Sequence, residues 1–303
     1  MPFRYAEPAP PPAGIDHYEN FPVASWLCPA HLRAPIAAIY GFARTADDIA
    51  DEGDAPAHER LRDLDALRAD LMAVSRDAPV SQRWSAVFTP LGAMIAKFRL
   101  PVGMLTALLD AFTQDVMKTR DGAGYESRAE LLDYCRRSAN PVGRLLLHLY
   151  GISTEAQLAQ SDQICTALQL INFWQDVGTD IRRGRFYLPE DDCRAHGVSQ
   201  ADLLAMNQTP AITALLADHV RYARATMQQG APLVNHVPGR AGWELRLVVQ
   251  GGLRILDKIE AMNHATLNAR PKLTGWDVPI MLFRAIFMGR LDTSKTHKNE
   301  PPG

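Results

Sequence analysis

The chain has 303 residues, of which 47% are hydrophobic and 22% are charged, enough to bury a substantial core in one large domain or two small ones. Its formal net charge is -2, from 32 basic and 34 acidic side chains, so we expect no nucleic-acid partner. The four cysteines are widely separated and form neither a CxxC pair nor a zinc-binding spacing, which is typical of reduced thiols in a cytoplasmic protein.

The two ends of the chain differ in composition from its middle. Residues 1–16 are rich in Pro and Ala and are predicted to be a disordered lead-in, and residues 291–303 are predicted to be a polar tail. Residues 17–290 are predicted to form a single helical domain. No run of about 18 apolar residues predicts a membrane-spanning helix. The apolar segment 279–288 indicates either a buried closing helix or a peripheral contact with the inner membrane.

Helical periodicity recurs along the chain, and alternation of β-branched residues is nearly absent. The predicted fold class is therefore all-α. Gly and Pro fall between the periodic stretches, and Asp54 and Gly178 are expected to lie near turns or kinks. The predicted helices cover residues 22–31, 34–51, 57–75, 82–97, 101–117, 127–138, 141–150, 155–180, 199–206, 209–228, 239–267 and 276–289.

An acidic cluster, Asp47, Asp48 and Asp51, ends the predicted helix 34–51. Asp47 and Asp51 share one face of that helix, because residues four apart lie one above the other. Carboxylates at that spacing repel each other, and part of the face should meet the core, where an unpartnered carboxylate is costly. A divalent cation relieves both costs, and Arg44 lies one turn earlier on the same helix.

A second polar stripe, Asn172, Asp176 and Asp180, repeats the four-residue spacing within the predicted helix 155–180. Carboxylate and amide oxygens suit Mg²⁺, which usually takes one or two protein carboxylates and completes its shell with water and phosphate. Mg²⁺ is therefore the predicted cofactor. The predicted metal ligands are Asp47, Asp48, Asp51, Asn172, Asp176 and Asp180.

Two acidic helices facing each other in a bundle form a pocket with metal at its rim and apolar side chains in its depth. That arrangement suits a prenyl diphosphate substrate. The predicted catalytic residues are Tyr40, Arg44, Tyr134 and Tyr187, with guanidinium donors, hydroxyls and aromatic faces for the leaving group and a carbocation. Taken alone, either acidic cluster is equally typical of a solvated helix face, and Arg44 of a simple salt bridge to Asp48.

The segments that carry the two clusters resemble two motifs of squalene and phytoene synthases. Residues 39–51, IYGFARTADDIAD, are similar to the first aspartate motif of that family, and residues 168–189 are similar to the second. Residues 255–260, ILDKIE, resemble a late helix of the family. The likeness covers roughly residues 17–290 and implies an isoprenoid-synthase-like helical bundle with a central apolar cavity. The substrate-binding residues that it implies are Arg44, Gln169, Asn172, Arg185 and Arg270.

Two segments narrow the resemblance within the family. Residues 17–25, HYENFPVAS, and 172–176, NFWQD, are similar to the branch that forms hydroxysqualene in hopanoid biosynthesis. Many relatives carry Arg at the position of Gln175, so a fixed positive charge is missing beside the second stripe. The resemblance implies a lyase that ionises presqualene diphosphate and lets water capture the cation. It also implies transient contact with a related synthase that supplies this substrate.

Two alternatives remain open on the sequence. A complete squalene or phytoene synthase condenses two prenyl diphosphates, and incubation with farnesyl diphosphate alone distinguishes it. A non-catalytic family member serves as an assembly factor. Such proteins often lose metal ligands, whereas this chain retains both stripes.

Overall fold

A computed structural model describes residues 28–288, and within that range the chain forms α-helices and two short 3-10 turns without a β-strand. The predicted all-α fold class is confirmed. The lead-in at residues 1–16, the segment 17–25, most of the predicted helix 22–31 and the polar tail lie outside the described residues.

Twelve α-helices follow one another in the described range. In chain order they are α1 (Ala30–Asp51), α2 (Ala57–Val74), α3 (Ser85–Phe98), α4 (Val102–Asp121), α5 (Arg128–Ser138), α6 (Asn140–Leu149), α7 (Glu155–Arg182), α8 (Glu190–Ala195), α9 (Gln200–Leu204), α10 (Pro210–Gly230), α11 (Gly239–Ala261) and α12 (Asp277–Phe287). The 3-10 turns are Gln82–Trp84 before α3 and Ala231–Asn235 after α10.

The helices differ from the predicted ones at four places. The predicted break before residue 34 is absent: α1 continues through Pro35, whose missing N–H removes one main-chain hydrogen bond near the start of the helix. The six residues of α8 are too few to show periodicity, and they were not predicted. Helix α11 ends at residue 261 instead of 267, because Asn263 and His264 adopt left-handed backbone with φ of 53° and 59°. Helix α7 continues to Arg182 instead of residue 180, so Gly178 lies inside it, one turn before its end.

The helices enclose two large groups of buried side chains. Helices α1 to α4 surround the first group, in which the rings of Phe42 and Phe88 lie edge to face 6.0 Å apart. Helix α7 is central to the second group and packs against α5, α6, α10 and α11. Its 28 residues begin at Thr154, whose hydroxyl accepts the backbone N–H of Gln157. Helices α4 and α6 connect the two groups.

Helix α12 covers part of α11 and leaves most of its own apolar surface open. Met281 and Ala285 are buried, while Phe283, Ile286 and Phe287 are exposed. The segment is therefore a closing helix that is buried on one side only. Within residues 28–288 no helix is both long enough and apolar enough to cross a bilayer.

Candidate active site

The carboxylates of α1 and α7 lie at the carboxyl ends of these two helices. Asp51 is the last residue of α1, and Asp180 lies in the last turn of α7. Arg185 joins the two ends: its guanidinium donates to both carboxylate oxygens of Asp51, at 2.9 and 2.5 Å, and its backbone N–H donates to the carbonyl of Asp180 at 2.9 Å. Two segments that are far apart in sequence therefore meet at one place in the fold.

Two further arginines are bonded to other carboxylates of the same two helices. Arg270 donates through Nε and Nη2 to the two oxygens of Asp176, and the Nη2 bond is 3.0 Å. Arg44 Nη2 lies 2.7 Å from Asp48 Oδ1, and Arg44 Nη1 lies 3.3 Å from Asp47 Oδ2. Each acidic stripe is therefore already held by planar donors that suit carboxylate and phosphate oxygens alike.

Burial and mutual repulsion disfavour the anionic form of two of these side chains. The pKa of Asp180 is raised to about 7, first by burial and then by the charge of Asp176. The pKa of Asp47 is raised to about 6, first by burial and then by the charge of Asp51. The helix dipoles add partial negative charge at the carboxyl ends of α1 and α7. A cation bound between the ends of α1 and α7 would offset the burial of these carboxylates, their mutual repulsion and the partial negative charge of the helix ends.

The donors at the two helix ends fit Mg²⁺. They are carboxylate oxygens and the amide of Asn172, one turn before Asp176 on α7. No three His, Cys, Asp or Glu side chains within residues 28–288 converge into a metal site made by the protein alone. Mg²⁺ usually needs only one or two carboxylates, because water and substrate phosphate complete its shell. The residues available to hold it are Asp47, Asp51, Asn172, Asp176 and Asp180.

The raised pKa values predict that the metal-free protein loses stability as the pH rises. Asp47 and Asp180 bind protons more tightly in the folded protein than in the unfolded chain, whose Asp pKa is about 3.9. The free energy of unfolding should therefore decrease between about pH 4 and pH 7. Thermal melts in EDTA from pH 5 to pH 8 measure this slope. Asp180→Asn should reduce it, and an unchanged slope in that variant contradicts the assignment.

Three predicted site residues lie at the margin of the carboxylate group. Asp48 is bonded to Arg44, as the simple salt-bridge interpretation predicted, and its side chain is 46% exposed. Tyr40 is 41% exposed and lies one turn before Arg44. Gln169 is half-buried and lies one turn before Asn172 on α7. The structure therefore places Asp48 and Tyr40 on the outer side of α1.

Tyr134 and Tyr187 lie in a cluster of rings beside a carboxylate that was not predicted. The Tyr134 hydroxyl donates to Asp115 Oδ2 at 2.5 Å, and the ring of Tyr187 stacks on Phe173 with centroids 3.8 Å apart. Burial and, to a lesser extent, the negative charge of Asp51 raise the pKa of Asp115 to about 7, against the hydrogen bond from Tyr134, which lowers it. Asp115 is therefore within electrostatic reach of the metal-binding candidates.

The sequence carried a signal for Asp115. It follows Leu105, Leu108 and Phe112 at helical spacing, so it continues the side of α4 that is buried. An acidic residue on an otherwise apolar helix face is costly unless it has a partner or a function. Tyr134, on the buried face of α5, is that partner.

An apolar cavity of about 130 Å³ lies along the same two helices. Ile36 of α1, Leu168 of α7 and Leu146 of α6 are among the residues that line it. Leu168 lies one turn before Asn172, and Ile36 precedes Asp47 by about 16 Å of helix at 1.5 Å per residue. The lining residues of the cavity on α1 and α7 precede the acidic stripes of those helices, and none of the stripe residues is among them.

This fold, with acidic residues at the ends of α1 and α7 and an apolar cavity along the same two helices, agrees with the family comparison. The chain belongs to the squalene/phytoene synthase family, whose model matches residues 16–277. The family resemblance seen in the sequence is confirmed.

Individual relatives agree with this assignment. The chain is 36% identical to a hydroxysqualene synthase of Rhodopseudomonas palustris over 244 residues, which is 80% of each chain. It is 32% identical to a phytoene synthase of Thermus thermophilus over 276 residues, which is 90% of each chain. It is also similar to the crystal structure of squalene synthase HpnC from Alicyclobacillus acidocaldarius, with a TM-score of 0.73, 34% identity, and coverage of 82% of this chain and 90% of that one.

Proposed function

We propose that this protein converts presqualene diphosphate to hydroxysqualene and diphosphate, in a Mg²⁺-dependent step of squalene and hopanoid biosynthesis. The observation that carries the proposal is the meeting of the carboxyl-terminal ends of α1 and α7 at Arg185, which bonds the Asp51 carboxylate and the Asp180 carbonyl, together with an apolar cavity along the same two helices. The similarity to a hydroxysqualene synthase supports the choice of reaction within the family. Substrate entry must widen the cavity, because ligand pockets typically measure about 300–1,000 Å³.

The arginines are positioned to receive the diphosphate of the substrate. Arg185 and Arg270 each hold a carboxylate with two N–H groups, and they can offer the same planar donors to phosphate oxygens. Mg²⁺, when bound by the carboxylates, supplies the remaining neutralisation of charge as the C–O bond breaks. The stacked rings of Phe173 and Tyr187 present aromatic faces near the acidic group, where they stabilise the cation and exclude bulk water.

The pair formed by Tyr134 and Asp115 is our candidate for the last proton transfer. When a water oxygen bonds to the cationic carbon, it must lose one proton to give the alcohol. The Tyr134 oxygen can accept that proton while its own proton passes to Asp115, to which it is already bonded at 2.5 Å. The balance is one water consumed, one C–O bond formed and one carboxylate protonated.

The choice of substrate has a direct test. Purified protein with Mg²⁺ is incubated separately with presqualene diphosphate and with farnesyl diphosphate, and the products are identified by mass spectrometry. We expect hydroxysqualene from the first substrate and no condensation product from the second. A C–C coupled product from farnesyl diphosphate alone contradicts the proposal.

A complete condensing synthase is the second candidate, because the Thermus thermophilus phytoene synthase aligns with 90% of this chain. The farnesyl diphosphate arm of the same experiment, repeated with geranylgeranyl diphosphate, decides between the two candidates. In the leading proposal the presqualene diphosphate comes from a separate synthase, with which contact is transient.

We also propose that α12 rests on the membrane surface. Trp276 and Phe283 are 88% and 64% exposed and Ile286 is also exposed. Arg284 lies on the same helix and is 43% exposed, with Nη1 bonded to Asp257 at 2.6 Å. Exposed aromatic and apolar residues next to a basic side chain are typical of helices that lie in a bilayer surface. A substrate and a product built from farnesyl groups partition into lipid, which favours lipid over another protein as the occupant of this face.

Vesicle sedimentation tests this contact. Replacing both Trp276 and Phe283 with Ser should weaken binding to anionic phospholipid vesicles at least about tenfold, because two large side chains lose their burial. Leu204→Ser changes a similarly exposed apolar residue on α9 and should have no effect. Equal binding by the double variant and the unmodified protein rules out α12 as the contact.

A further inference from the structure

The segment after α11 lies directly against α7. The backbone N–H of Gly178 approaches the carbonyl of Thr266 at 3.3 Å. A Cβ atom at Gly178 would lie 2.0 Å from the carbonyl oxygen of Leu267. The contact is therefore main chain against main chain, and it requires glycine at this position of α7.

A buried hydrogen bond fixes the same segment a few residues later. The side-chain amide of Gln175 donates to the carbonyl of Pro271 at 2.6 Å. Gln175 is only 8% exposed and Pro271 is buried. Burying a primary amide is costly unless it is hydrogen-bonded. The Pro271 carbonyl therefore takes the place of water as the acceptor for the Gln175 amide.

The neighbouring residues on both chain segments form a second, more accessible link. Asp176 follows Gln175, Arg270 precedes Pro271, and the Arg270 guanidinium is bonded to both oxygens of the Asp176 carboxylate. The Arg270 side chain is about one-third exposed, whereas the Gln175 bond is buried. The buried link sets the position of the backbone, and the accessible link can exchange its partner.

We propose that Gln175 is a positioning residue for Arg270, because its amide holds Pro271 against α7. The Arg270 guanidinium can then move from Asp176 to a diphosphate oxygen while the backbone of the segment after α11 stays in contact with α7. This inference rests on the proposed function, in which Arg270 binds the substrate diphosphate. It also assigns a role to the neutral amide at this position. The positive charge comes from Arg270, and Gln175 fixes where that charge lies.

A double-mutant comparison tests the inference with inorganic diphosphate as the probe. Its affinity in the presence of Mg²⁺ is measured by calorimetry for the unmodified protein, Gln175→Ala, Arg270→Ala and the double variant. We expect Gln175→Ala to weaken binding about fivefold to thirtyfold, as for the loss of one buried hydrogen bond. Arg270→Ala should weaken it at least as much. The double variant should bind about as well as Arg270→Ala alone, because Gln175 acts through Arg270.

The control is Gln163→Ala. Gln163 lies on the amino-terminal half of α7 and its side-chain amide donates to Gln229 of α10, so the variant removes a glutamine hydrogen bond away from Arg270 and should leave the affinity for diphosphate unchanged. If Gln175→Ala binds normally while Arg270→Ala does not, the inference is wrong and the proposed function stands. If the two losses multiply in the double variant, Gln175 acts independently of Arg270, and the inference is also wrong. If Arg270→Ala has no effect, the diphosphate role of Arg270 itself fails.

Hydrogen exchange gives a readout that does not depend on binding. In Gln175→Ala, and in Gln175→Met, which retains the side-chain volume, amides of residues 265–272 should exchange faster than in the unmodified protein. Exchange of the α2 amides, on the far side of the fold, should stay the same. Unchanged exchange at residues 265–272 in both variants overturns the proposal.

Discussion

Replacing Asp51 or Asp176 with Asn is expected to lower kcat about a thousandfold or more while the fold stays intact. Asn keeps the size of the side chain and one oxygen, but it removes the negative charge that binds a cation. Stabilisation of a leaving group by a bound metal contributes several kcal/mol, and each 1.36 kcal/mol corresponds to about a tenfold change in rate. Each variant also breaks a bidentate guanidinium pair, to Arg185 or to Arg270.

A matched control lies on the same helix. Asp162 of α7 is bonded to Arg144 at 2.8 and 2.6 Å, so Asp162→Asn removes an equivalent pair away from the proposed site. Its kcat should stay near that of the unmodified protein. Circular dichroism and thermal melts check the fold of all three variants. Near-normal rates for both Asp51→Asn and Asp176→Asn at saturating Mg²⁺ would falsify the proposed role of the two acidic stripes.

Gly178→Ala should produce the largest loss of stability among single-methyl substitutions in the proposed site. The added Cβ would lie 2.0 Å from the carbonyl oxygen of Leu267, and that neighbour is backbone rather than a flexible side chain. Overpacking of this kind costs about 1–3 kcal/mol, which exceeds the gain of about 1 kcal/mol from the higher helix propensity of Ala. The segment that carries Arg270 must also move, so affinity for inorganic diphosphate should fall.

The control for this substitution is Gly103→Ala in α4, where an added Cβ meets no atom within 4 Å. It should leave the free energy of unfolding unchanged or raise it slightly. Urea denaturation of both variants measures the difference. If Gly178→Ala is as stable as Gly103→Ala and binds diphosphate normally, the close approach between α7 and residues 266–267 has no energetic importance.

The sequence predicted the fold class and most helices because the apolar positions recur at helical spacing. It also predicted that the acidic residues share helix faces, since that follows from their spacing within α1 and α7. The two acidic helices were also predicted to face each other. The structure adds Arg185 as the residue that joins them, which depends on tertiary packing and has no local signal.

Other features had no local signal strong enough to assign them. Asp115 is a single carboxylate on α4, and its partner Tyr134 is on another helix, so neither position identifies the pair alone. Gln175 was recognised only as a departure from the family pattern, because its bond to Pro271 spans 96 residues of sequence. Gly178 was expected only to lie near a turn or kink, whereas its function in the fold is to admit a neighbouring main chain.

The most direct test of the central claim is crystallographic. Crystals grown with Mn²⁺ in place of Mg²⁺, together with inorganic diphosphate, locate the metal by its anomalous scattering. We expect anomalous peaks between α1 and α7, from Mn²⁺ bound to oxygens of Asp51, Asp176 or their neighbours on the two stripes. The diphosphate should contact Arg185 and Arg270. Diphosphate and Mn²⁺ bound elsewhere, with the Arg185 to Asp51 pair unchanged, would contradict the claim.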